Sequence, residues 1–542
     1  MKHPRACRQC RESKRRCVRR SHQVGEPCEP CQRRKLVCAN LRAVGHSQSL
    51  LPKADEPQPQ EVIPESTASS KPPCPRVPTH VAVRLVDHYL DKLHNRPHSL
   101  FHPAKLRMQV RDGSVNQALL LAICSMASRF DDDEEIRLLE NCLMDESKRR
   151  LLADLENICI ENIQTCILIA NLYAAHLKPS SEALFFRIAI SLLQILDSGA
   201  SPVGTKLIDL EIKRRTWWTV FTADRWSSSS LGLPRQIADT ELAVDLPMDE
   251  TIFESLGAEE TKLNVPWRPG IWAHMIALVQ MFGPIQDLNR RSVYGSITLE
   301  EMEAGVTYLS SRLENWEQML PVDVRMNEEN LERHIQRGTG GAFIALHLGY
   351  HHYATLLYFR FLEPPRSTSP LVEIYHGKCN FHALSYSRLV KLARHKQRCE
   401  VIYPTVGHMA VVSSSVLLHT LLFGEERDLK SVRDALNANF AAILDLRRYW
   451  RNTAPMIHRL VTFQNFCLLS NHYRTHKLDG WMIRFLIEYS LPLGDKDIEP
   501  VTLGRDLDID DFSTRTQVLT EQGRYTSFAI DDGFLEGFEF GL

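Results

Sequence analysis

Six cysteines near the start of the chain, Cys7, Cys10, Cys17, Cys28, Cys31 and Cys38, have the type and spacing to hold metal. They read C-x2-C-x6-C, a ten-residue gap, then C-x2-C-x6-C again, so the second half repeats the first. On a short helix a three-residue step places two thiolates on adjacent turns, and seven more residues bring the third back to the same side. Each half is therefore a three-pronged claw. Zinc takes four ligands in a tetrahedron, so two ions sharing six cysteines require two sulfurs to bridge both. Two Zn2+ ions and six thiolates together carry about −2, a charge that basic surroundings stabilise. Those surroundings are present: residues 1 to 42 hold thirteen Lys/Arg against Glu12, Glu26 and Glu29. The rest of the chain holds 52 basic and 63 acidic residues, which hides the asymmetry behind an overall charge of −1. A basic head on an acidic body implies a polyanionic partner for the head alone. A segment this short buries too little apolar surface to fold unaided, so metal binding should supply most of its folding free energy.

The run Cys7-Arg8-Gln9-Cys10-Arg11-Glu12-Ser13-Lys14-Arg15-Arg16-Cys17, followed by Pro27-Cys28-Glu29-Pro30-Cys31-Gln32-Arg33-Arg34-Lys35-Leu36-Val37-Cys38, resembles the binuclear zinc cluster of fungal transcription factors. That resemblance implies two Zn2+ ions with Cys7 and Cys28 as the bridging ligands, and Pro27 shaping the loop between the halves. It also implies that Lys14 reaches major-groove base edges of double-stranded DNA, in CGG-type half-sites. Guanine N7 and O6 are acceptors that match a lysine donor. A short helix over Arg11 to Arg16 would turn Arg11, Lys14 and Arg15 away from the metal. Arg8, Arg15, Arg16, Arg33, Arg34 and Lys35 suit phosphate contacts, which position the head without specifying sequence. For any one of them the plain alternative is a solvated charge. Lys14 to Arg20 also reads as a nuclear import signal, so a nuclear protein is expected.

Behind the head, residues 43–79 are rich in Pro, Ser, Glu and Gln and lack aromatics, which predicts a disordered linker. Its repeated prolines leave no room for the heptad coiled coil that follows the cluster in many such factors, so dimerisation stays open. From about residue 80 to 495 the apolar pattern becomes helical. Val83–Leu93, Gln117–Arg129, Glu161–Leu172, Glu182–Leu196, Ile212–Ser228, Gly341–Phe361 and Met456–His472 all place apolar residues at three- and four-residue steps. Sheet signals are sparse. The expected fold is mainly α: a small zinc-cluster domain at 1–42, the linker, and a large all-α body.

Within the body, Glu211 to Arg225 with Trp217, Trp218 and Phe221, followed by Leu231-Gly232-Leu233-Pro234 and Asp245-Leu246-Pro247, resembles the regulatory domain specific to fungal factors. Ala122–Ala127 and Leu346–Tyr353 fit as further pieces. Trp217 and Phe221 should share one buried helix face, with Asp224 and Arg225 pairing to neighbouring helices, so this motif is read as structural. A small-molecule inducer pocket between helices is compatible with the family, and nothing in the sequence locates it.

No stretch of 18 uninterrupted apolar residues occurs; His408 to Phe423, broken by serines and His419, reads as a buried helix, and the basic start lacks the apolar core of a secretory signal. No membrane partner is expected. His347 and His351 stand i,i+4 as on a zinc-binding helix, but no Glu follows the first, which leaves a metallohydrolase as the weak rival. Gly338-Thr339-Gly340-Gly341 is too short for a dinucleotide loop and reads as a turn opening a helix. Cys124, Cys142, Cys159, Cys166 and Cys467 read as core thiols. The tail, 496–542, mixes acids with Phe512, Phe528, Phe534, Phe538 and Phe540, the pattern of an acidic activation segment that engages coactivators. A transcription activator without enzymatic activity is the expectation, with a zinc-cluster repressor or cofactor as the alternative.

Overall fold

The computed structural model describes residues 77–96, 99–197, 204–239, 244–362, 370–450, 453–472, 480–490 and 509–526. Two units divide the chain, Met1–Pro73 and Cys74–Leu542, and every described residue lies in the second.

That unit is helical, as its apolar periodicity requires, and no strand occurs among the described residues. The helices are α1 Thr79–Lys92, α2 Pro103–Asp112, α3 Gln117–Ser128, α4 Glu134–Leu138, α5 Glu140–Ala153, α6 Ile160–Ala175, α7 Pro179–Asp197, α8 Leu207–Ser230, α9 Glu250–Ser255 and α10 Ile271–Val293. They continue as α11 Leu299–Met319, α12 Glu328–Gln336, α13 Gly340–Tyr358, α14 Pro370–His395, α15 Pro404–Phe423, α16 Leu429–Arg447, α17 Thr453–His472, α18 Gly480–Ile487 and α19 Ile509–Glu521.

Local chemistry fixes many of the starts. His102 accepts from the Lys105 amide with Pro103 at the first helical position, Asn116 caps α3, and Thr298 and Glu301 form a reciprocal capping box on α11. α13 opens where the sequence predicts a turn. Gly338 has φ +76°, and a Cβ on Gly341 would come within 2.8 Å of the Arg96 guanidinium and 2.9 Å of the Glu400 carbonyl. Glycine there permits the turn and then the close approach.

Consecutive helices pack on one another, α6 on α7, α13 on α14 and α15 on α16, and α13 also meets α10, α11, α12 and α15. α13 and α15 are apolar around most of their circumference and buried along nearly their whole length, which makes them the centre of the core. α7 and α15 are long and apolar enough to cross a membrane by composition, and the apolar window of α15 is 89% buried inside the fold, where the sequence placed a buried helix. The described part of the tail is not separate from the body. Leu519 and Tyr525 pack on the core, the Tyr525 hydroxyl donates to Asn465 at 3.0 Å, and Arg524 donates to the Gly424 carbonyl at 2.9 Å.

Candidate functional site

The six cysteines Cys7, Cys10, Cys17, Cys28, Cys31 and Cys38 lie outside the described residues, as do Arg8, Arg11, Lys14, Arg15, Arg16, Arg33, Arg34 and Lys35. The structure therefore speaks to the body, where the residues of the Glu211 to Pro247 motif come together around α8.

At the start of α8, Glu211 and Arg215 are fully buried and paired one turn apart at 2.9 Å. Arg214 reaches the other carboxylate oxygen of Glu211 at 2.5 Å. Arg215 donates to the Ser99 hydroxyl and, at 2.7 Å, to the Met248 carbonyl, while the Met248 amide donates to Glu211 at 3.0 Å. The guanidinium also lies over the Phe253 ring at 4.4 Å. Each buried charge has several hydrogen bonds, the condition under which such a pair is tolerated. Next to it, buried Glu250 accepts from the amides of Ile271 and Trp272 at 3.1 Å, capping α10 from outside the helix. Burial pushes its carboxyl upward, while nearby Arg215 and the Trp272 and Glu250 amides pull it back. A Cβ on Gly270 would overlap the Glu250 carboxylate, so this cap requires glycine.

The aromatic pair divides its work. Trp217 stacks on Phe221 at 5.8 Å, whereas Trp218 turns inward and its indole N–H donates to the Asp245 carbonyl at 2.9 Å. Asp224 and Arg225 pair with each other at 3.1 Å, but their other partners are not the helices expected. Asp224 accepts the amides of Gln236 and Ile237, and Arg225 donates to Asp239 at 2.5 Å and lies 3.5 Å over Phe221. These two side chains hold the loop after α8. A buried side chain within two helical turns of a chain reversal meets that loop before any neighbouring helix.

The end of α8 shows why Gly232 and Pro234 belong to the motif. Leu233 N–H donates to Ser228 C=O at 2.9 Å and Gly232 N–H to Ser229 C=O at 3.1 Å, with Gly232 at φ +67°: a Schellman stop. Arg290 of α10 adds donors to the same two carbonyls at 3.1 and 3.2 Å. Arg235 grips Asp287 of α10 with two bonds of 2.8 and 2.7 Å. Sequence reasoning missed Arg235, Asp287, Arg290 and Glu250, because each stands far along the chain from what it holds and no spacing rule connects them.

Residues 86–318, which include this network, match the sequence profile of the fungal specific transcription factor domain. Over that span the chain is similar to fungal transcription factors that carry this domain. A Zn(2)-C6 fungal-type transcription factor of Fusarium oxysporum f. sp. lycopersici is 23% identical over 421 residues, covering 68% of this chain and 43% of the relative. A transcriptional regulatory protein of Schizosaccharomyces pombe is 22% identical over 329 residues, covering 54% of this chain and 33% of the relative, and a second from that yeast is 25% identical over 307 residues, covering 49% and 37%. The chain thus spans less than half the length of these curated relatives. No solved structure matches it. Within the fungal-specific domain, the charged helix start, paired aromatics, Asp-Arg and Gly-x-Pro turn act together to fix α8 and the loop behind it against α10.

The histidines of α13 do not converge. His347 bonds the Val324 carbonyl at 3.0 Å, His351 contacts His382 at 2.9 Å, and His352 stacks on Trp226 with ring centroids 5.6 Å apart. Burial lowers the pKa of His347 to about 4 and that of His352 to about 3. Among the described residues no three His, Cys, Asp or Glu side chains are grouped to hold a metal. Cys124, Cys166 and Cys467 are buried thiols as read from sequence; Cys159 is half-buried. Cys142 departs from that reading, being half-buried and disulfide-bonded. Apolar neighbours in sequence placed it on the core side of α5, whereas its position on the helix leaves it at the edge. A cavity of about 900 Å³ lies beside the starts of α2, α3, α6 and α8.

Proposed function

We propose that this chain is a zinc-dependent, sequence-specific DNA-binding regulator of transcription. Residues 1–42 would bind two Zn2+ ions through the six cysteines and read CGG-type half-sites of double-stranded DNA through Lys14. The observation that carries this is the duplicated C-x2-C-x6-C in a segment of thirteen Lys/Arg, on the same chain as a fungal-specific transcription factor domain. The printed names of the Fusarium relatives, Zn(2)-C6 fungal-type transcription factors, support the same reading. The protein acts in the nucleus, where its DNA is.

The body would serve as a regulatory scaffold, in which the buried Glu211–Arg215 and Asp224–Arg225 pairs anchor α8 and the loop behind it. The tail supplies activation. The acidic and aromatic residues from Phe528 to Phe540 would engage a coactivator. Zinc analysis tests the head: two equivalents on residues 1–46, with loss of specific DNA binding on chelation, is the expected result. One equivalent or none, or zinc bound by the body instead, refutes it.

A further inference from the structure

We propose that the cavity at the starts of α2, α3, α6 and α8 binds a neutral, largely apolar molecule that carries a hydroxyl group. Its volume of about 900 Å³ lies within the range of cavities that hold drug-sized ligands. Phe101, Leu106, Val115, Leu119 and Ile212, all buried, form an apolar wall for the body of such a ligand. The polar part of the lining decides what else the ligand must carry.

Charge does not select the ligand. Lys105 and Lys213 line the cavity together with Glu161 and Asp209, two charges of each sign. Both lysines are already paired, Lys105 with Asp209 and Lys213 with Asp197 at 2.9 Å. Glu161 bonds the Cys159 thiol and stands in the first turn of α6, where the helix dipole offsets its charge. The backbone at the start of α8 is committed as well, the Leu207 amide donating to the Glu260 carbonyl at 2.8 Å and the Asp209 amide to the Lys206 carbonyl at 3.1 Å. An ion entering the cavity would give up its hydration for charges that are already compensated.

What is left over is a neutral acceptor. Gln164 of α6 lines the cavity and is 3% exposed. Its Nε2 donates to the Leu100 carbonyl at 2.8 Å and to the Thr216 hydroxyl at 3.4 Å. A carbonyl can only accept, so the bond to Leu100 fixes which way the amide is turned and leaves Oε1 as the atom without a partner. An apolar body that displaced water from Oε1 would strand a buried acceptor, whereas a ligand hydroxyl donates to it. The hydroxyl therefore sits at Gln164 with the body against Phe101, Leu119 and Ile212. Only the consequence for transcription rests on the function proposed above; the binding itself involves no DNA and is measured without it.

The test is equilibrium dialysis of the full chain at neutral pH with four probes that share a two-ring body and differ in one group: 2-naphthol, its methyl ether, 2-naphthoate and 2-naphthylmethylammonium. 2-Naphthol is expected at one site per chain, tighter than either ion and about five-fold tighter than the ether, the ratio that one satisfied hydrogen bond supplies. Gln164→Leu should abolish the preference over the ether by weakening 2-naphthol alone, whereas damage to the fold would weaken both. Leu210→Trp, at a half-buried position of the same lining, should block the cavity and abolish saturable binding of both neutral probes. Absence of saturable 2-naphthol binding to the unmodified chain, equal or tighter binding of the ether or of either ion, a preference that survives Gln164→Leu, or binding indifferent to Leu210→Trp overturns the proposal.

Discussion

Replacing Arg215 by methionine should destabilise the body more than almost any other single change at α8. The substitution keeps the length and apolar stem but removes the bonds to Glu211, the Ser99 hydroxyl and the Met248 carbonyl, together with the stack on Phe253. It leaves Glu211 as a buried carboxylate with the Met248 amide and Arg214 as its remaining partners. Breaking one side of a buried pair costs about 3–5 kcal/mol. Arg214 stays at 2.5 Å from Glu211, which puts the expected loss near the lower end, about 3 kcal/mol. The double variant Glu211→Leu, Arg215→Met removes both charges and should recover at least about 1 kcal/mol relative to the sum of the single losses, as coupled buried pairs do. Urea denaturation followed by tryptophan fluorescence reads both, since Trp217 and Trp218 lie on the same helix. A loss below about 1 kcal/mol for Arg215→Met, or strict additivity in the double variant, would refute the role assigned to this pair.

Acid should destabilise the body in a defined window. Burial holds His347 at about 4 and His352 at about 3, below the ordinary 6.5, so under pH 6.5 the unfolded chain takes up protons that the fold refuses. Stability then falls as pH drops from about 6.5 toward about 4, by about 1.4 kcal/mol per pH unit for each such histidine. Neither ring nitrogen of His352 has a hydrogen-bond partner, so His352→Phe should flatten that slope by one proton and raise the urea midpoint at pH 5.5; an unchanged slope argues against it. Lys14→Ala should cost about 1–3 kcal/mol on a CGG duplex and spare binding to scrambled DNA in gel-shift titrations. Equal losses on both would make Lys14 a phosphate contact. Residues 500–542 fused to an unrelated DNA-binding domain should activate a reporter, and a silent fusion counts against the activating tail.

Much of the helical body is visible in the sequence because burial imposes a 3.6-residue period. The seven segments with that period fall on the helices α1, α3, α6, α7, α8, α13 and α17, those at Leu93 and Arg129 ending on the C-cap residue and that on α13 running into the 3-10 turn at Phe359–Phe361. Gly338 to Gly341 were legible as a turn because positive φ and close approach both demand glycine. The partners of Asp224 and Arg225 were not. Periodicity says that a side chain faces inward and is silent on whether a helix or a loop meets it there. The Glu250 cap of α10 and the grip of Arg235 on Asp287 were hidden for a related reason. Each depends on residues that approach only after the chain has folded back over tens of positions, and local patterns carry no record of that distance. The half-buried position of Cys142 on α5 shows the converse, that apolar neighbours in sequence do not by themselves bury a thiol.

Zinc-dependent reading of DNA by the first 42 residues is the central claim, and a single titration tests it. The full chain is mixed with a duplex bearing a CGG half-site and with a scrambled duplex at about 150 mM salt, before and after removal of zinc by a chelator and again after zinc is restored. The CGG duplex is expected to bind about 10³-fold tighter than the scrambled one, within the range of specific over nonspecific DNA binding. That preference should vanish without zinc and return with it. Equal affinity for the two duplexes with zinc present, or a preference that survives its removal, contradicts the claim.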